Sequence, residues 1–403
     1  MKDTDTLIAD SQKYIANTYS RYPLVLVRGQ GCKVWSSDGK EYLDFVAGLA
    51  VCNLGHCHPK VVGAIQDQSR KLLHVSNFYH IEPQIELAKM LVENSFADRV
   101  FFCNSGAEAN EAAMKLAKKY AKDTGHADRF EIISMKRSFH GRTMLTMSAT
   151  GQEKIQKGFD PLVPGFSYVP FNDIEAVLRA VTPQTCAVIV EPIQGEGGVN
   201  CPSEGYLRDL RELCREREIL LIFDEVQVGM GRTGKLFAHE HEGVYPDIMT
   251  LAKSLAGGVP IGAMLASEEA AKSFSPGTHA TTFGGNPLAT AAGVAALSVL
   301  SENDLLENCR RVSDHFLNRL MDLKAKYPFI KEVRGRGLII GMELGFEGAQ
   351  IVTRCMEEGF LINCTMGNIL RFLPPLIMTT DEVDQLIGTL DRVFGECRED
   401  VKS

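Results

Sequence analysis

Hydrophobic positions along this chain follow two different periods. Between residues 97 and 270, short apolar runs closed by a polar residue or a glycine alternate with stretches whose apolar positions recur every three to four residues. The runs read as strands buried on both faces, and the longer period as amphipathic helices between them. Strands are predicted at Val100–Cys103, Glu131–Met135, Cys186–Glu191, Ile219–Asp224, Ile248–Leu251 and Ala263–Ala266. Ser105 and Glu108 have capping-box spacing, so a helix begins at Ser105 and carries Ala109, Ala112, Ala113, Leu116, Ala117 and Tyr120 on one face. A second helix carries Leu207, Leu210, Leu213 and Cys214. This alternation predicts an α/β fold, with right-handed crossovers over a mainly parallel sheet.

The flanks differ. Residues 1 to about 20 read as a polar helical lead-in, and Leu24–Val27 and Cys32–Trp35 as short strands turned by Gly29, Gly31 and Ser37-Asp38-Gly39. An alanine-rich helix is expected at Asn286–Leu300 and a longer one at Asn303–Tyr327. From Ile330 onward, glycine-punctuated strands (Leu338–Leu344, Phe360–Cys364, Ile369–Leu373) alternate with helices in a compact α+β unit. Its last helix is capped at Thr379 with Glu382 and lined by Val383, Leu386, Ile387, Leu390 and Phe394. Pro374 and Pro375 stop the strand that carries Arg371.

At 403 residues the chain can form two or three domains of about 150 residues each, and 45% hydrophobic with 23% charged content is ordinary for a globular protein. The net charge of -8 gives no electrostatic reason to expect nucleic acid or an anionic membrane, although a basic pocket for carboxylates can sit inside an acidic protein. Small anions are the expected partners. Eleven scattered cysteines suggest reduced thiols rather than a disulfide framework. The chain opens on Met-Lys-Asp-Thr-Asp-Thr without an apolar leader, and no run approaches the roughly 18 apolar residues of a membrane span, so a cytoplasmic location is expected. His56-Cys57-His58 is too tight for three side chains to converge on one zinc, and no partner motif stands at ligand spacing, so no metal is expected.

Candidate chemistry sits where strands end. The run Ile219–Phe223 closes on Asp224-Glu225, and Ile248–Leu251 delivers Lys253; in open parallel sheets ligands gather at such carboxyl ends, so Asp224 and Lys253 could face one site. Most lysines are merely solvated. Lys253, however, is collared by Leu251, Ala252, Leu255 and Ala256, which disfavours its ammonium form. A neutral lysine is a nucleophile suited to imine formation, and the common biological imine partner is pyridoxal phosphate, whose ring nitrogen is kept protonated by an acid such as Asp224. The turn into the helix at Ser105, with Gly106 and Ala107, offers free N–H groups to a phosphate.

These motifs carry a resemblance. Asp224-Glu225-Val226-Gln227, Gly229-Met230-Gly231-Arg232-Thr233-Gly234 and Lys253 together resemble the class III aminotransferases, and tracts from about Tyr22 to about Pro375 fit the same family. Phe171-Asn172-Asp173, Ser138-Phe139-His140-Gly141-Arg142 and Glu191-Pro192-Ile193-Gln194-Gly195-Glu196-Gly197-Gly198 are most similar to the acetylornithine aminotransferases. The resemblance implies a fold-type I pyridoxal-phosphate transferase with a large domain at 61–310. It also implies a small α+β domain built from both termini, 1–60 and 311–403.

The same resemblance implies roles. Lys253 and Asp224 are catalytic; Ser105, Gly106, Ala107, Phe139, Gln227 and Thr282 join them in binding the cofactor. Phe139 stacks on the ring, Gln227 meets its phenolic oxygen, and Thr282 reaches the phosphate of the neighbouring subunit, which implies a homodimer. Arg371 takes the α-carboxylate of glutamate or 2-oxoglutarate and Arg142 the distal one, while Glu196 pairs with Arg371 when an ω-amine donor occupies the site. The implied activity is ping-pong transfer of the terminal amino group of N-acetylornithine to 2-oxoglutarate, a step of arginine biosynthesis. It yields N-acetylglutamate semialdehyde and glutamate. Leu49 bears on the donor: ornithine aminotransferases carry a tyrosine at this position, and an apolar residue gives a free α-ammonium no partner. N-succinylornithine, N-succinyldiaminopimelate, ornithine and 4-aminobutyrate remain open as donors. An aminomutase or decarboxylase of the same fold fits the joint presence of Arg371 and Glu196 less well, and the negative charge and the lack of a DNA-binding appendage count against a non-catalytic cofactor-binding regulator.

Overall fold

Apolar strands with no polar face need cover on both sides, and the chain supplies it. In the computed structural model, which describes residues 3–302 and 304–400, a seven-stranded sheet forms in the order Arg99–Cys103, Gly262–Ala266, Ile248–Leu251, Leu220–Asp224, Thr185–Val190, Glu131–Met135, Phe166–Val169. The strands from Ile248–Leu251 to Phe166–Val169 run parallel, and Gly262–Ala266 is antiparallel to both its neighbours. Alternate residues of one strand serve opposite layers. Ala187, Ile189 and Ile222 pack with Ala112, Ala113, Leu116 and Ala117 of the helix Gly106–Asp123. Their neighbours Val188, Val190, Leu221 and Phe223 pack with Leu207, Leu210, Leu213 and Cys214 of the helix Tyr206–Glu216. This sandwich is the expected α/β architecture.

Both ends of the chain meet beside it. Glu41–Asp44 pairs in parallel with Phe360–Leu361, so the N-terminal strands share a sheet with a C-terminal one. A further antiparallel sheet runs Ile330–Arg336, Ile339–Leu344, Ile369–Phe372, Asn363–Thr365, which makes the strand bearing Arg371 an inner one. The final helix starts as expected: Thr379 Oγ1 accepts the Glu382 N–H at 3.3 Å, and the Glu382 carboxylate accepts the Thr379 N–H at 2.8 Å.

Central strands match their predicted bounds to within a residue; edges and irregular segments do not. The strand expected at Leu24–Val27 forms at Leu26–Gln30, where most side chains are exposed and apolar residues do not mark the paired stretch. Its register is set by the hairpin through Gly31, whose φ of 58° suits glycine. Phe360–Cys364, expected as one strand, splits around buried Ile362: Phe360–Leu361 joins the N-terminal sheet, and Asn363–Thr365 pairs with Ile369–Phe372. Strands Phe166–Val169 and Ile330–Arg336, and helices Pro59–Ser69 and Glu82–Glu93, were not predicted. The long helix expected from Asn303 runs Leu305–Lys326, and Asn303 lies outside the described residues. Among the described residues no helix is long and apolar enough to cross a membrane, and the ten described cysteines are free thiols.

Candidate active site

Because the strands are parallel, their carboxyl ends open on the same edge of the sheet, and there a cavity of about 450 Å³ is found. Its lining includes Ser105, Gly106, Ala107, Phe139, Arg142, Glu196, Asp224, Gln227 and Lys253. They come from the ends of five strands, Arg99–Cys103, Glu131–Met135, Thr185–Val190, Leu220–Asp224 and Ile248–Leu251, and from the loops just beyond them. A larger cavity of about 950 Å³ lies under the N-terminal segment, but its lining contains none of these residues.

Asp224 ends the strand Leu220–Asp224 and is buried. Its Oδ2 accepts from Asn110 Nδ2 at 2.7 Å and faces His140 Nδ1 at 2.8 Å, while Oδ1 accepts the Val226 N–H at 3.1 Å. Asn110 is held in turn by Thr250, whose hydroxyl donates to Asn110 Oδ1 at 2.7 Å. The adjacent Glu225 turns away, where its carboxylate accepts the N–H groups of Ala238 and His239 at 2.6 and 2.9 Å. Of the two acids that close this strand, Asp224 faces the cavity and Glu225 anchors a loop.

Lys253 opens a short 3-10 turn, Lys253–Ala256, with a φ of 45°. The left-handed region costs a non-glycine residue about 1–2 kcal/mol, and such strain persists where surrounding packing fixes it. Burial pushes its ammonium below the usual lysine range, against the opposing pull of Glu196. Direction and cause are those the apolar collar predicted.

Opposite, Ser105 caps the helix Gly106–Asp123 by accepting the Glu108 N–H at 3.2 Å, and the Glu108 carboxylate accepts the Asn104 N–H at 2.7 Å. The first turn leaves N–H groups without partners inside the helix, and its Gly106 and Ala107 line the cavity. A Cβ on Gly106 would stand 2.8 Å from Val226 Cγ1, so only glycine lets Val226 lie close beneath this turn.

Arg371, from the C-terminal sheet, is fully buried and meets Glu196 from the large unit: Nη1 to Oε1 is 2.8 Å and Nη2 to Oε2 is 3.3 Å. Gln227 joins them, donating from Nε2 to Glu196 Oε1 at 3.2 Å. Burial raises the Glu196 carboxyl, but Arg371 and Lys253 outweigh it and hold it at about 2. The Arg142 guanidinium lies 5.5 Å from the Phe139 ring centre.

Two expected site residues lie apart. Thr282 is exposed and Leu49 is 38% exposed, and neither lines the cavity; Val51, two residues beyond Leu49, does. Asn110, His140, Glu191 and Val226 were not assigned roles from the sequence yet line the cavity. Glu191 carried the signal that found Asp224, an acid closing an apolar run. It is pushed up to about 7, by burial first, with His140 opposing and Asp224 adding. In the His-Cys-His stretch His56 makes a partly buried contact, Nε2 lying 2.7 Å from Asp44 Oδ2.

A desolvated lysine and a buried carboxylate in one cavity, with a helix N-terminus and Arg142 in its lining and Arg371 behind Glu196, suit amine chemistry on carboxylate substrates. The family Aminotransferase class-III matches residues 14–394. The chain belongs to the class III aminotransferases. The acetylornithine aminotransferase of Methanocaldococcus jannaschii is 56% identical over 387 residues, covering 96% of this chain and 97% of the relative. That of Caldanaerobacter subterraneus is 53% identical over 393 residues, with 97% and 100% covered. Among solved structures, the ornithine aminotransferase of Toxoplasma gondii superimposes with a TM-score of 0.96 at 37% identity, covering 100% and 96%. The N-acetylornithine aminotransferase of Stenotrophomonas maltophilia does so at 0.84 and 40%, covering 98% and 100%. This class III aminotransferase uses pyridoxal phosphate, and its residues fit that group. The N–H cradle at Gly106 and Ala107, the buried amine of Lys253 and the floor carboxylate of Asp224 line one cavity, with apolar Val226 and Ile261 between.

Proposed function

We propose that this aminotransferase moves the terminal amino group of N-acetylornithine to 2-oxoglutarate, giving N-acetylglutamate semialdehyde and glutamate in arginine biosynthesis. The observation that carries the reading is the Arg371–Glu196 pair, a buried guanidinium with a built-in carboxylate that a substrate carboxylate can replace. One site thereby serves two substrates. With Glu196 on Arg371, an ω-amine donor enters without a carboxylate at that end; with Glu196 displaced, Arg371 takes the α-carboxylate of glutamate or 2-oxoglutarate. Arg142 then holds the distal carboxylate, or the α-carboxylate of the donor. The names of the relatives support N-acetylornithine as that donor.

When bound, pyridoxal phosphate supplies the aldehyde that accepts the amino group and a ring that takes up electron density. Lys253 Nζ would hold that group and would carry a proton to or from the reacting carbon. Asp224, fixed by Asn110 and His140, keeps the ring nitrogen protonated. Ser105, Gly106 and Ala107 hold the phosphate, Phe139 covers the ring and Gln227 meets its phenolic oxygen. The family resemblance gives Thr282 to the phosphate of a second subunit, and with it we propose a homodimer. Its exposed position beside Phe283, itself 60% exposed, and the presence of Phe78 at 92% support an interface there. We also propose domains at 1–60 with 311–403 and at 61–310, and a cytoplasmic location. Incubation with glutamate should shift the visible spectrum, 2-oxoglutarate should reverse it, and N-acetylornithine should lead a panel of acylated and free ω-amines in kcat/KM. A spectrum unchanged by glutamate would defeat the proposal.

A further inference from the structure

Glu191 stands just past the strand Thr185–Val190, buried, and the chemistry above makes no use of it. Its two oxygens hold two different loops. Oε2 accepts the Phe139 N–H at 3.0 Å and Oε1 accepts the Gly195 N–H at 3.3 Å. Phe139 covers the cofactor position, and Gly195 immediately precedes Glu196.

Close packing ties the same two loops again. Gln194 Nε2 donates to the Lys136 carbonyl at 2.9 Å, and a Cβ on Gly197 would stand 2.4 Å from the Arg137 carbonyl oxygen. A Cβ on Gly195 would overlap the Gln227 amide at 1.8 Å, so the backbone there lies directly against the side chain that bonds Glu196. The reach of Glu196 to Arg371 therefore depends on where the Gly195 peptide is held.

We propose that Glu191 is a positioning residue that fastens the Phe139 loop to the Glu196 loop and so keeps the Glu196 carboxylate within reach of Arg371. This rests on the reading of Glu196 as the group that a substrate carboxylate displaces. A neutral amide at 191 keeps one acceptor oxygen but turns an NH2 toward the other N–H, so one of the two ties is lost. Glu196 then occupies Arg371 less often, which favours glutamate, whose carboxylate competes for that site, over an ω-amine donor, which needs the site neutralised.

The test uses the cofactor-loaded enzyme and Glu191→Gln, Glu191→Asp, Glu196→Gln and the Glu191→Gln/Glu196→Gln double variant. At pH 8, where Glu191 is ionised and both oxygens accept, amide hydrogen exchange in segments 136–140 and 194–198 should quicken about tenfold or more in Glu191→Gln, the scale of one lost charge-assisted hydrogen bond. The ratio of half-reaction rates, glutamate over N-acetylornithine, should rise about tenfold in Glu191→Gln and further in Glu196→Gln. The double variant should rise no further than Glu196→Gln alone, because Glu191 acts through Glu196. Equal slowing of both half-reactions with unchanged exchange would overturn the proposal. If Glu196→Gln leaves the ratio unmoved, the reading of Glu196 fails, and the exchange rates still decide whether Glu191 ties the loops. Should Glu191→Gln not fold, Glu191→Asp decides: its shorter carboxylate should give an intermediate rise, and an unchanged ratio overturns the proposal.

Discussion

Glu196 and Arg371 face each other two-on-two across the seam between the large sheet and the C-terminal sheet, Oε1 2.8 Å from Nη1 and Oε2 3.3 Å from Nη2. The geometry is the one a substrate carboxylate needs, because a planar guanidinium presents two parallel donors. Lysine keeps the charge but not the fork. Arg371→Lys should therefore raise KM for glutamate about 10- to 100-fold, the scale of a lost hydrogen bond to a charged group. Steady-state kinetics with unchanged glutamate KM would remove Arg371 from the carboxylate site.

Lys253→Ala should abolish turnover yet retain cofactor through the N–H groups of Gly106 and Ala107. In the unaltered enzyme, borohydride reduction followed by peptide mapping should label Lys253. A label on another lysine would mean that the buried amine in the cavity is not the nucleophile, despite its lowered pKa.

Asp224→Asn should fold and bind cofactor but slow proton transfer on the order of a hundredfold or more. The surroundings explain why an amide is a poor replacement. If its oxygen takes the Oδ2 place to serve Asn110 and His140, its NH2 must face the Val226 N–H, and the amide carries no charge to keep a ring nitrogen protonated. Single-turnover absorbance with glutamate measures the effect, and a rate within a few-fold of the unaltered enzyme would end the role given to Asp224.

What could be read in the sequence was whatever a single strand or turn encodes. Asp224 and Lys253 announce themselves because each charge follows an apolar run, and Ser105 with Glu108 because a cap needs only three residues of spacing. His140 gives no such local sign: its contact with Asp224 joins residues 84 positions apart, and its use appears only once two strand ends meet. Glu191 was visible by the rule that found Asp224 but had no partner in sequence to give it work. The edge strands failed for a related reason. Ile330–Arg336 shows charged residues to solvent, so its place follows from pairing with Ile339–Leu344 rather than from its own pattern.

His56 and Asp44 make a pH-sensitive tie between the loop that carries the His-Cys-His stretch and the N-terminal sheet, at 2.7 Å. The hydrogen bond to the Asp44 carboxylate, then that to Cys52, raises the imidazole to about 10 from 6.5, against burial. A raised folded-state pKa means that the contribution is complete below about pH 6.5 and drains away as pH climbs to about 10. His56→Gln should therefore lower the denaturant midpoint more at pH 6 than at pH 10. An equal loss at both would mean that packing against Gly29, not charge, is what His56 supplies.

The proposed preference for an acylated donor rests on the loop before Val51. Leu49 is partly exposed with a φ of 65°, two residues ahead of a residue that lines the cavity. The segment Val46–Val51 offers only apolar side chains and glycine, so a free α-ammonium held there would lose water without gaining a partner. An N-acetyl group carries no charge and escapes that cost. N-acetylornithine should accordingly exceed ornithine in kcat/KM, with 4-aminobutyrate weaker because it lacks the acylamino group. Leu49→Tyr adds a hydroxyl at the position where ornithine aminotransferases are expected to carry one, and leucine already occupies the left-handed backbone there, so the exchange adds little strain. It should narrow the gap between acetylated and free ornithine by about tenfold, the scale of one hydrogen bond to a charged group. Equal kcat/KM for the two donors in the unaltered enzyme would sink the assignment of N-acetylornithine while leaving the aminotransferase chemistry of Lys253 and Asp224 untouched.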